Sequence, residues 1–158
     1  MPRRPLIATL LALLLLQAPG LWANELEVLL ASDTPPHGVV FEFASGDQNL
    51  LEQHLPALRA DIARLRARFP GLPIEIVSHG LEVLSLTIEN EDFYPWTHDI
   101  TRELAAEGIP FTICGAYAES FGVFAEEFPP YVQVLPSGPA HLDNLLQLDY
   151  ILVRYPPR

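Results

Sequence analysis

One thiol and a few imidazoles are the side chains here with the most direct nucleophilic or proton-transfer chemistry. Cys114 is the single cysteine among 158 residues, and five histidines accompany it. Cys114 ends the apolar run Phe111-Thr112-Ile113-Cys114, just before Gly115 and a predicted helical turn over Ala116 to Phe121. A thiol facing a helix N-terminus has its thiolate stabilised by the dipole and by free N–H groups. No arginine lies close in sequence, and Glu119, Glu126 and Glu127 oppose an anion wherever they fold near it. The competing reading is a small core residue, because free cysteine is among the most buried residue types. Both readings stand on the residues alone. His79 closes another apolar run, Pro73 to Ser78, and precedes Gly80. It is either a base or proton donor for a thiol, or a strand-end imidazole bonded to nearby backbone, which is the commoner role. His98 and His141 have no ligand spacing to each other or to Cys114, so a Cys114–His79 metal site would have to be assembled from distant segments.

Composition removes several functions. The formal charge is −11 with no lysine, which disfavours phosphate backbones and anionic lipid surfaces, so no nucleic acid is expected as a partner. A single cysteine excludes an intramolecular disulfide and leaves a free thiol or an intermolecular pair. Nucleotide-binding glycine loops, the phosphate-binding G-x-x-x-x-G-K, H-E-x-x-H, C-x-x-C and G-x-S-x-G are all missing from the sequence. No cofactor and no metal is therefore expected. The acidic runs Glu89 to Asp92 and Glu126-Glu127 read as solvated surface, and Phe93-Tyr94-Pro95-Trp96 as a packed loop or subunit contact.

The elements that must position these residues follow from periodicity. Residues 1–23 have the order of a secretory signal: Arg3 and Arg4, then the aliphatic stretch Leu6 to Leu16, then Pro19, Gly20 and Ala23. Cleavage after Ala23 is expected, with a periplasmic or secreted product and no stable membrane insertion afterwards, because the apolar stretch is short for a full span. Residues 24–37 read as a polar, proline-broken leader or linker, and 38–158 as one domain. In that domain Val39 to Phe43, Pro73 to Ser78, Phe111 to Cys114, Val132 to Leu135 and Tyr150 to Val153 read as strands. Leu51, Leu55, Leu58, Ile62, Leu65 and Phe69 mark one face of a long helix, with Asp47 available as its cap and Pro56 expected to kink it or delay its regular start. Glu82 to Leu86 suits a short helix, or a strand. A further helix is expected to open at Thr97 or Asp99 and to end by Gly108, and Ser137-Gly138-Pro139 to start the last one. Strands alternating with helices predict a single α/β domain, a mostly parallel five-stranded sheet with helices on both faces. Ligands then sit beyond the carboxyl ends of the strands, where both His79-Gly80 and Cys114-Gly115 fall.

Taken in order, Val39-Val40-Phe41, Gly46-Asp47, Glu75-Ile76-Val77-Ser78-His79-Gly80, Phe111-Thr112-Ile113-Cys114-Gly115 and Val134-Leu135-Pro136-Ser137-Gly138 form a series. The series resembles the DsrE/DsrF-like family of sulfur-relay proteins, from about Gly38 onward. The resemblance implies a flavodoxin-like domain that assembles into homo-oligomers, trimers or hexamers. It also implies that Cys114 takes the place of the strand-end cysteine that accepts sulfur as a persulfide, with His79 as a possible assisting residue. The partners implied are a thiol or persulfide donor or acceptor protein, or a small sulfur species, and the activity is at most sulfurtransferase-like. Two departures stand out: better-known relays work in the cytoplasm, and Ala116-Tyr117 replaces the polar residue that often follows the cysteine. The alternative is a non-catalytic binding or assembly module with a structural cysteine.

Overall fold

The computed structural model describes residues 25–156, so the expected signal segment lies outside them. Five strands, β1 (Gly38–Phe43), β2 (Ile74–Ser78), β3 (Phe111–Cys114), β4 (Gln133–Leu135) and β5 (Tyr150–Arg154), form one all-parallel sheet in the order β4-β3-β2-β1-β5. The architecture is the single-domain, parallel α/β class that the alternation of elements predicts, consistent with the flavodoxin-like character that the resemblance implies. Helix α1 (Glu25–Leu30) precedes the first strand, and α2 (Leu50–Arg68), α3 (Pro95–Ala106), α4 (Gly115–Glu119) and α5 (Gly138–Gln147) join the strands, with 3-10 turns at Leu81–Leu86, Ile88–Asn90 and Ala125–Glu127.

Handedness explains which face each helix takes. Parallel crossovers are right-handed, so connections that step along the sheet in one direction lie on one face. The chain steps from β1 to β4 that way and places α2, α3 and α4 together over the larger core, built on Phe41, Ile76, Phe111 and the buried stripe Leu51, Leu55, Leu58, Ile62 and Leu65. The return from β4 to β5 runs the other way and puts α5 on the opposite face. A much smaller core lies there: Val40, Val77, Leu142 and Leu145.

Three expectations change. The 24–37 stretch is more than a linker, because α1 buries Leu26 and Leu29 in the larger core and pairs Glu27 with Arg64. Helix α2 runs unbroken through Pro56. That residue is exposed, and its missing N–H leaves the Glu52 carbonyl without its usual i+4 donor. Helix α3 begins at Pro95 rather than at Thr97 or Asp99. Its cap comes from elsewhere: the Glu52 carboxylate accepts from Trp96 N, Thr97 N and Thr97 Oγ1 at 2.8–3.1 Å. A carboxylate at a helix N-terminus satisfies orphan donors and complements the dipole, whatever its distance along the chain.

Candidate functional site

Cys114 and His79 are brought together by strand register. Strands β2 and β3 pair Ser78 with Ile113, and one more residue along each chain sets His79 beside Cys114. Parallel alternation sends both side chains to the α5 face, where Gly138 at the start of α5 is wedged between them. A Cβ on Gly138 would lie 3.1 Å from the Cβ of Cys114 and 3.1 Å from the Cβ of His79, so those two atoms are at most twice that distance apart. Any larger residue at 138 would have to push them aside. Ser137 caps α5, its Oγ accepting from Ala140 N at 3.2 Å. The N-terminal turn of α5 therefore packs beside the Cβ of Cys114.

The location is the crevice that a parallel sheet creates. β3 continues into α4 on the large-core face, and its neighbour β4 continues into α5 on the other. Adjacent strands whose connections part in this way leave a gap at their carboxyl ends. Here Ala116 N donates to Pro136 O across it at 3.2 Å. Cys114 sits at its base and is 6 % exposed.

One carboxylate bonds His79 and a second fixes the turn around it. Glu42 in β1 accepts from His79 Nε2 through Oε1 at 2.9 Å, and its Oε2 lies 3.4 Å from Arg154 Nε. A carboxylate only accepts, so Nε2 carries the proton, and in the neutral ring Nδ1 presents a lone pair. Behind it, Glu82 is fully buried and takes three hydrogen bonds: from Ser78 Oγ at 2.8 Å, and from the backbone N–H groups of Gly80 and Ser45 at 2.9 Å. That carboxylate buckles the turn after β1 to the turn after β2. Gly80 is obligatory in this clasp, because a Cβ would collide with the Ser45 backbone. The site thus holds a thiol, an imidazole on the neighbouring strand end and a carboxylate bonded to that imidazole.

The other singled-out residues go elsewhere. His98 is fully buried, with Nε2 bonded to Ser85 O at 2.9 Å and Nδ1 to the Tyr131 hydroxyl at 2.7 Å, which is a structural role. His141 meets Glu75 at 2.8 Å and ties the first turn of α5 to β2. Burial, and then the charge of Glu75, push the Tyr150 phenol above its ordinary range. Glu127 caps Phe124 N at 2.7 Å. Among the described residues no three His, Cys, Asp or Glu side chains gather as a metal site requires. The segment from Phe93 to Trp96 is open to solvent at its ends, Phe93 being 75 % and Trp96 61 % exposed.

Glu42, Glu75 and Glu82 were not anticipated as partners of these histidines and turns. A signal existed for the first two: strands of a helix-covered parallel sheet read as near-continuous apolar runs, and a glutamate within each of β1 and β2 breaks that rule.

No protein-family model matches the chain, and no curated protein matches it significantly. Among solved structures, a protein of unknown function, MTH1491 from Methanobacterium thermoautotrophicum, is similar with a TM-score of 0.60 at 21 % identity, over 75 % of this chain and 98 % of that one. The likeness is one of fold: a small parallel α/β domain that this chain reproduces over nearly the whole of its neighbour.

Proposed function

We propose that the protein is an exported, DsrE/DsrF-like sulfur carrier that holds a persulfide on Cys114. The observation that carries the reading is the juxtaposition of Cys114, His79 and the start of α5, with His79 oriented by Glu42. In loading, His79 Nδ1 takes the Cys114 proton and the thiolate attacks the outer sulfur of a low-molecular-weight persulfide. Cys–SH and R–S–SH become Cys–S–SH and R–SH, so the sulfane sulfur moves without an external oxidant or reductant. In unloading, an acceptor thiol attacks the outer sulfur of Cys–S–SH, taking it up and restoring the Cys114 thiol. The donor and acceptor are thiol proteins or small sulfur species.

Intact mass of the protein recovered from the exporting host tests this directly. The expected chain starts near Asn24 and gains about 32 Da on polysulfide treatment. Dithiothreitol reverses the gain, Cys114→Ser abolishes it, and His79→Ala slows it while the fold is kept. A second reading, a binding or assembly module with a structural cysteine, is favoured by the near-complete burial of Cys114 and by the exposure of Phe93 and Trp96. A folded protein whose Cys114 resists polysulfide and small alkylating reagents alike would establish that reading in place of the first.

A further inference from the structure

Beyond the carboxyl ends of β2 and β3, on the same end of the sheet as Cys114, a cleft of about 420 Å3 opens between the 84–90 and 123–127 segments. Its apolar lining is Leu84, Ile88 and Val123, and Ile88 keeps half its surface in water. Glu89, Glu126 and Glu127 stand around it, and no cationic side chain lines it. Among the described residues Glu89 and Glu126 have no ion-pair partner, whereas Glu127 is committed to Phe124 N. Phe124, half exposed, extends the apolar surface beside it. An apolar floor ringed by unpaired negative charge is complementary to a segment carrying both apolar and cationic side chains.

We propose that this cleft docks a cationic, amphipathic segment of a partner protein. A second copy of the chain fits it poorly. The protein has no lysine, and each described arginine is already paired within its own chain: Arg59 with Glu103, Arg64 with Glu27, Arg66 with Glu107, Arg68 with Asp33, Arg102 with Glu91 and Arg154 with Glu25. A second copy would set carboxylates against carboxylates unless it broke these pairs. The inference does not depend on sulfur chemistry at Cys114.

Fluorescence anisotropy with labelled model peptides tests it on the exported protein. A short amphipathic Leu/Lys helix should bind, weaken with added salt, and outcompete both a Leu/Glu helix and a Ser/Lys peptide of the same charge. Glu89→Lys with Glu126→Lys should weaken binding by about tenfold or more, as a few lost charge contacts imply. Ile88→Asp should do the same, and Asp143→Lys on α5 should leave affinity unchanged. Binding indifferent to Glu89, Glu126 and Ile88, or equal for the Ser/Lys peptide, would mean general attraction to an acidic protein and would overturn the proposal. An oligomer that dissociates in sedimentation when Ile88 is replaced would assign the cleft to a second copy and overturn it equally.

Discussion

With Glu42 accepting the Nε2 proton of His79, Nδ1 keeps the lone pair of the neutral ring, and register sets Cys114 on the adjacent strand end. Glu42 also reaches Arg154, so the orienting carboxylate is itself held from the far side by β5. Tyrosine hydroxyls show a different use of burial. The Tyr155 phenol is raised well above its ordinary 10.0, by burial first, then by the charge of Asp61, to which it donates at 3.2 Å. Burial raises Tyr131 in the same direction. Below pH 10 these phenols are neutral in both the folded and unfolded chain, and their contribution to stability is fully present. As the pH rises past 10 the unfolded chain releases protons that the folded chain keeps, so stability falls until the folded phenols titrate. Urea titrations between pH 8 and 11 should show that loss. Tyr155→Phe should lower stability at pH 8 by about 1 kcal/mol for the lost hydrogen bond, yet flatten the decline above pH 10. A decline as steep as that of the unmodified protein would remove Tyr155 from the account.

Helix α2 brings five side chains to the large core on a single stripe, and Leu58 in its middle is fully buried. Leu58→Ala should cost about 2–5 kcal/mol in a urea titration, from lost burial and the cavity left behind. A loss within error would mean that neighbouring side chains collapse into the space. That stripe was legible in the sequence because a helix repeats every 3.6 residues and so prints its buried face as a local pattern. The strands and Ser137-Gly138-Pro139 were legible for the same reason: alternation, β-branching and capping are short-range signals. Helix α3 was misjudged at its start because Glu52 supplies its cap from another helix, and α1 was missed because two buried leucines in a six-residue helix are too few to show a period. At the site, Cys114 and His79 were visible as residue types at strand ends. Their adjacency was not, since it depends on the register between β2 and β3, and neither was the Glu82 clasp, which joins Ser45 to Gly80.

Among the described residues the sheet's two faces are unequally covered: several helices over one, α5 over the other, where Glu42–His79 and Glu75–His141 lie half-buried. The homo-oligomer implied by the family resemblance has room on that thinner side and at exposed Phe93 and Trp96. Sedimentation velocity at micromolar concentration should show a species of three or six chains; only a species near 17.6 kDa, or the slightly smaller processed chain, would remove the oligomer. The strand order has a further consequence, for biogenesis. β1 is made first and β5 last, yet Val39 pairs with Ile151 and Phe41 with Val153. While the chain is being made, β1 can recruit β2, but its other edge stays open and apolar until β5 arrives. Such an edge can pair with another nascent chain as readily as with its own late strand. Export before folding, as proposed above, would shorten that interval, because β5 would already be synthesised when β1 reaches the far side.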